Sequence, residues 1–216
     1  MTDMKVTHVK TSREEEPRLR SVERAEAAAV LVVDDHQAVR LGVQMLLDDE
    51  PGIDVVASVG SYEEALEAAA KSVIDIAVVD YHLGGRDGLA LTRKLVTMPK
   101  SPRVLVFSAY ADERLELAAL LAGADGLLGK NSLGIELCHR IRSLARGEAR
   151  RFSVSTRALA AVGEELELED RPILGMLAAA TEPAEIAAVL GLRPPELEAR
   201  RSAMLERLRA SRRTNA

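Results

Sequence analysis

Between residues 29 and 130 the chain repeats one pattern: a short, continuously apolar run closed by a polar side chain. Ala29-Val30-Leu31-Val32-Val33 runs into Asp34-Asp35, and Ile74-Asp75-Ile76-Ala77-Val78-Val79 into Asp80. Arg103-Val104-Leu105-Val106-Phe107 ends on Ser108, and Gly126-Leu127-Leu128-Gly129 ends on Lys130. Runs without apolar–polar alternation suit strands buried on both faces, as in a parallel sheet covered by helices. In an open α/β sheet the carboxyl edge of the strands is where ligands bind. Three carboxylates, a hydroxyl and a lysine are thereby expected at one edge.

Helical patterns lie between these runs, in five strand–helix repeats from about residue 28 to 147. His36–Asp48 is amphipathic through Val39, Val43, Leu46 and Leu47. Ser61 with Glu64 three residues later is a capping-box start for a helix over Tyr62–Lys71. Leu89–Val96, Asp112–Leu121 and Leu133–Arg146 supply the remaining helices, and Gly147 is a C-terminal stop.

The chain has 216 residues, enough for two modest domains, and a net charge of −5 makes any polyanion-binding surface a local one. Its one cysteine, Cys138, lies on an apolar helix and reads as a buried small hydrophobe, which suits a reducing cytosol. Neither a leader peptide nor an apolar run of membrane-spanning length is expected, so the reading is cytoplasmic with no membrane contact.

Three carboxylates in one small volume repel unless a cation lies between them, and magnesium, a hard cation with oxygen ligands, is the natural choice. The order acidic pair, single Asp, Ser, Lys resembles the receiver domain of two-component response regulators. The loop Asp80-Tyr81-His82-Leu83-Gly84-Gly85-Arg86-Asp87-Gly88 is similar to that family's D-x-x-M-P-x-x-D-G turn, with Gly84 in place of the proline. The resemblance implies a five-stranded, flavodoxin-like doubly wound receiver. In it Asp35, Asp80 and the backbone of His82 hold Mg2+ and Asp34 acts through water. Asp80 is then the nucleophile toward a phosphohistidine on a sensor histidine kinase, with Lys130 pairing a phosphoryl oxygen and Ser108 donating to another. His36 and His82 are read as neighbours of this site rather than as its acid or ligands.

One departure concerns the switch. Where receivers usually carry Tyr or Phe this chain has Leu127, and Gly129 replaces an apolar residue beside Lys130. The expectation is that phosphorylation acts through Ser108 with an altered switch, biasing pairing of the face containing Leu115, Ala119 and Cys138.

After Gly147 a basic start gives way to the acidic stretch Glu164-Glu165-Leu166-Glu167-Leu168-Glu169-Asp170, read as a linker that is helical across Thr156–Val162. From Ile173 only helical segments follow: Ile173–Ala179, Pro183–Leu190 and Pro195–Arg209. Ile173-Leu174, Glu185-Ile186-Ala187 and Leu190-Gly191-Leu192, with Met204-Leu205, resemble the LuxR-type helix-turn-helix of NarL/FixJ-type regulators. That family presents Thr and Lys to DNA where Glu196 and Glu198 stand here, and acids facing phosphates remove attraction. Arg193, Arg200, Arg201 and Arg207, with Arg209, Arg212 and Arg213, are the candidate DNA contacts.

The domain reading is a tail over 1–27, a receiver over 28–147, a linker over 148–165 and a helix-turn-helix-like domain over 166–213. The function expected is a phosphorylation-controlled, dimeric transcription factor, not an enzyme. The alternative is an atypical regulator whose C-terminal domain is a protein-interaction or dimerisation module without sequence-specific DNA binding. A phosphate sink with no output is a third reading.

Overall fold

A computed structural model describes residues 27–132, 134–148 and 152–214, with side chains described as far as residue 210. The expected tail, apart from Ala27, lies outside the described residues, as do Leu133 and the side chains of Arg212 and Arg213.

Five parallel strands form one sheet in the order β2-β1-β3-β6-β7. They are β1 (Ala28–Val33), β2 (Ile53–Val59), β3 (Ile76–Asp80), β6 (Arg103–Ser108) and β7 (Gly126–Gly129). A separate antiparallel hairpin of β4 (His82–Leu83) and β5 (Arg86–Asp87), absent from the sequence reading, follows β3. The receiver helices are α1 (Gln37–Asp48), α2 (Tyr62–Lys71), α3 (Gly88–Leu95), α4 (Glu113–Ala122) and α5 (Gly134–Ala145).

Strand alternation divides the core in two. Val30, Val32, Ile76, Val78, Leu105 and Phe107 pack with Val43 and Leu47 of α1 and with Leu137, Cys138 and Ile141 of α5. Leu31, Val33, Ala77, Val79 and Val104 pack on the other face with Ala65 of α2 and with Leu91 and Leu95 of α3. Both faces of the central strands are therefore dry, which is why their sequences are apolar without interruption.

Local chemistry sets the helix starts. Ser61 Oγ accepts from Glu64 N at 3.2 Å, while Glu64 reaches back to Gly60 N rather than to Ser61 itself. Asp87 and Asp112 cap α3 and α4 through Leu89 N and Leu115 N.

The C-terminal region folds as α6 (Thr156–Glu164), α7 (Arg171–Ala178), α8 (Pro183–Leu190) and α9 (Pro194–Thr214). It is not separate from the receiver. Helix α4 is apolar on all sides: Leu115, Leu117 and all of 118–122 are buried. One side covers Val106 and Leu127 of the sheet; the other packs with Val162, Ile173, Leu174 and Leu177 and with Leu197, Met204, Leu205 and Leu208 of α9. A helix apolar all round needs neighbours on every side, and here the C-terminal helices supply them. The segment read as a linker also lies against α4, where Glu116 accepts from Ser153 N at 2.6 Å and Glu113 from Ser155 N at 2.7 Å. Leu115 and Ala119 thus belong to this inter-domain core and Cys138 to the core on the opposite side of the sheet, so they do not form one pairing face as expected.

Candidate functional site

Parallel register brings the polar strand ends together. Val33 of β1 pairs with Val79 of β3, so the next residues, Asp34 and Asp80, stand side by side at the carboxyl edge. Ser108 pairs with Gly129, and Lys130 follows one residue later. Lys130 N donates to Ser108 O at 2.8 Å, which fixes where the lysine leaves the sheet.

Asp34 and Asp80 are both almost fully buried, at 2% and 4% exposure. The Lys130 ammonium bridges them, 2.6 Å from Asp34 Oδ2 and 2.9 Å from Asp80 Oδ2. Burial pushes the Asp80 carboxyl above its ordinary range, and the Asp34 charge adds to this against the pull of Lys130 and the His82 amide. Burial disfavours the Lys130 charge, but its bonds to Asp34 and Asp80 outweigh that and hold its pKa above the ordinary lysine value.

Asp35 is more exposed. Its Oδ2 accepts from Gly84 N at 2.9 Å, and its Oδ1 lies 2.7 Å from His36 Nδ1. Its slight burial favours the neutral acid, yet the Gly84 amide and His36 prevail and keep its pKa low. Gly84 adopts φ +50°, a backbone proline cannot take, so the turn that carries this amide differs from the proline turn the loop resembles. Gly88 is required for another reason: a Cβ there would lie 1.9 Å from Asp80 O.

Two contributors were not legible as such. Arg40 Nη1 donates to Asp34 O at 2.6 Å, holding the backbone of the acidic pair from the second turn of α1. Its only signal was a cation six residues after Asp34. The His36 imidazole, read as a neighbour of the site rather than a ligand, lies close enough that it and Asp34, Asp35 and Asp80 each offer a ligand atom within 4.8 Å of the others. Three carboxylates and one imidazole make a donor set in which oxygen ligands predominate, as Mg2+ requires. His82 approaches Asp80 through its amide, and its ring packs edge-on to Tyr81 at 4.5 Å. The Ser108 hydroxyl is engaged with the main chain of Tyr110, accepting from its N at 3.2 Å and lying 3.3 Å from its O. Leu127 is buried in the core shared with α4.

The candidate DNA contacts do not assemble as one strip. Arg201, expected to face DNA, is instead 5% exposed: it donates to Leu121 O at 3.1 Å and pairs with Glu198 at 2.5 Å. The position lies on the α9 stripe Leu197, Arg201, Met204, Leu205 and Leu208, which faces the buried core. Arg193 pairs with Glu196 at 2.5 Å, and that pairing lowers the pKa of the glutamate. Arg200 pairs with Glu169 and Asp170, Arg207 with Glu167, and Arg209 with Asp87.

The sequence model of the response regulator receiver domain matches residues 30–143. The chain is 32% identical over 200 residues to the DNA-binding transcriptional activator DevR/DosR of Mycobacterium tuberculosis, covering 87% of this chain and 91% of that protein. It is also 32% identical over 183 residues to the transcriptional regulatory protein UhpA of Salmonella typhimurium, covering 84% of this chain and 92% of that one. A crystal structure of a LuxR-family two-component response regulator from Aurantimonas superposes with a TM-score of 0.55 at 31% identity, over 64% of this chain and 97% of that one. With the Asp80 cluster at the carboxyl edge and the helical domain that follows it, these matches place the chain in a family: it belongs to the two-component response regulators of the NarL/FixJ type.

Proposed function

We propose that this chain is a phosphorylation-controlled, DNA-binding transcription regulator whose phosphoacceptor is Asp80. The observation that carries the reading is the Lys130 ammonium bridging the buried Asp34 and Asp80 at the strand ends. A carboxylate oxygen of Asp80 attacks phosphorus as the P–N bond of a kinase phosphohistidine breaks, and Lys130 is placed to pair with a phosphoryl oxygen. Ser108 would exchange its contacts with Tyr110 for the phosphoryl group. Asp35 and Asp80, with the His82 backbone, would hold Mg2+ directly and Asp34 through water. When bound, the ion offsets the charge that builds on the transferring group. Arg40 keeps the Asp34 backbone in place.

In this reading the receiver spans 28–147, a linker 148–165 and a helix-turn-helix-like output domain 166–213. DNA contact falls to Arg193, Arg200 and Arg207, and use of Arg201 would require α9 to part from α4. The reading includes a cytoplasmic homodimer phosphorylated by a sensor histidine kinase. Among the described residues no helix is long and apolar enough to cross a membrane. The second reading, an interaction module, is favoured by one observation: Arg193, Arg200, Arg201, Arg207 and Arg209 all have acidic partners within the chain.

The test is phosphotransfer from a kinase or small phosphodonor, followed by intact mass. Wild type should gain one phosphoryl group and Asp80→Asn none; a phosphorylated Asp80→Asn chain would remove Asp80 as the acceptor.

A further inference from the structure

The acidic run between α6 and α7 has no part in the receiver chemistry, yet every acid in it is paired with an arginine. Glu164 meets Arg171 at 3.3 Å and Glu165 meets Arg114 at 2.5 Å. Glu167 meets Arg207 at 2.5 Å, while Glu169 and Asp170 meet Arg200 at 3.0 and 3.3 Å. Arg200 and Arg207 are seven residues apart, two turns of one helix, and so share a flank of α9. That flank lies beside the buried stripe, not under it. It stays open to solvent while α9 packs on the receiver: the Arg200 and Arg207 side chains are 33% and 46% exposed.

The outer pairs, to Glu167 and Glu169, add little to the fold. The run is anchored by Leu166, 5% exposed, whereas the buried Asp170 makes no cap bond and keeps its own contact to Arg200 at 3.3 Å. Glu167 and Glu169 are 61% and 77% exposed, and ion pairs in water contribute little to stability. Their carboxylates are therefore easily exchanged for other anions of similar geometry. Phosphate oxygens are such anions, and guanidinium groups take them in the same forked arrangement.

We propose that the acidic run 164–170 is a built-in competitor for the phosphate-contacting flank of α9: Glu167 and Glu169 occupy Arg207 and Arg200 until a DNA backbone displaces them. This rests on the DNA-binding reading above and adds to it what sets the affinity of that surface. Displacement leaves two carboxylates beside the phosphates, which weakens binding. It also flattens the salt dependence, because the cis pairs that must break are themselves weakened by salt.

The experiment uses the full chain and a random-sequence DNA duplex, so no target promoter is needed, across a salt series. Glu167→Gln/Glu169→Gln should bind about tenfold more tightly than wild type at low salt, with a slope of log K against log salt steeper by about one to two. The gain should vanish when Arg200→Ala/Arg207→Ala is added. A control with the same charge change on receiver helices, Glu67→Gln/Glu136→Gln, should bind like wild type. Equal binding by wild type and Glu167→Gln/Glu169→Gln, or an equal gain in the control, overturns the competitor and leaves the DNA-binding reading standing. The same series is run with beryllofluoride and Mg2+ as a phosphoryl mimic, and failure of every chain to bind the duplex under both conditions overturns both.

Discussion

Arg209 of α9 and Asp87 of the loop that follows Asp80 form an ion pair at 2.7 Å, linking the last helix to the residue that caps α3. Asp87 does two things at once: Oδ1 accepts from Leu89 N at 2.6 Å, and Oδ2 meets the guanidinium. Seven residues earlier stands Asp80, and Tyr81 between them packs against the core shared with α9. Movement of this loop is therefore expected to reach α9. Arg209→Gln should speed hydrogen exchange in α9 and α4 while costing no more than about 1 kcal/mol of global stability. Unchanged exchange in both helices would show that the pair does not hold them together.

Gly88→Ala places a methyl group 1.9 Å from Asp80 O, against backbone that has nowhere to go. The chain is expected to lose roughly 3 kcal/mol or more in denaturant unfolding, and to bind Mg2+ more weakly where it still folds. A stability within experimental error of wild type would mean that the loop can shift freely.

The raised pKa of Asp80 has a definite sign in stability. A carboxyl whose folded-state pKa is raised binds its proton more readily folded than unfolded, so stability falls as pH rises from the ordinary carboxyl range through the folded value. Asp80→Asn escapes that loss. It should melt above wild type at neutral pH, with the gap closing as acid protonates Asp80. The Lys130 contribution, from a pKa raised above the ordinary lysine value, is constant over this window and is lost only in strong alkali. A variant that melts below wild type at neutral pH would indicate that the Lys130 pairing outweighs burial.

Magnesium should reverse the order. At about a hundred times its dissociation constant a ligand that binds only the folded state adds about 2.7 kcal/mol. Wild type is expected to gain this and Asp80→Asn much less, and chelation should restore the metal-free ranking. Equal gains by thermal melting would place the ion elsewhere.

Leu127→Ala removes a side chain buried between β7 and α4 and should cost about 2–5 kcal/mol in denaturant unfolding. Since Leu127 belongs to the core that α9 also joins, hydrogen exchange in α9 should rise with it. Loss of stability without faster exchange in α9 would separate Leu127 from the C-terminal helices.

The receiver was legible because its signals are local. Uninterrupted apolar runs gave the central strands, and the polar residues at their ends include Asp34, Asp35, Asp80 and Lys130, which the structure brings together, while the Ser108 hydroxyl turns to the main chain of Tyr110. The Ser61 cap fixed the start of α2, and Pro183 and Gly191 bracketed α8. What stayed hidden depends on contacts distant in sequence. Arg201 looks like any arginine on a basic helix, and only the approach of α4, with Leu121 O 80 residues away, buries it. The acidic run read as a linker by composition, whereas its arginine partners lie as far as 51 residues off. Helix α4 did carry a clue: apolar residues on every side imply a neighbour beyond the receiver sheet.

The most direct test of the central claim is binding of the full chain to a pool of its own genomic fragments across a salt series, with and without beryllofluoride and Mg2+. Selective retention of a few fragments, strengthened by the phosphoryl mimic and weakened steeply by salt, is the predicted result. Retention without selection under both conditions, or none at all, would contradict it and make the C-terminal domain a protein-interaction module.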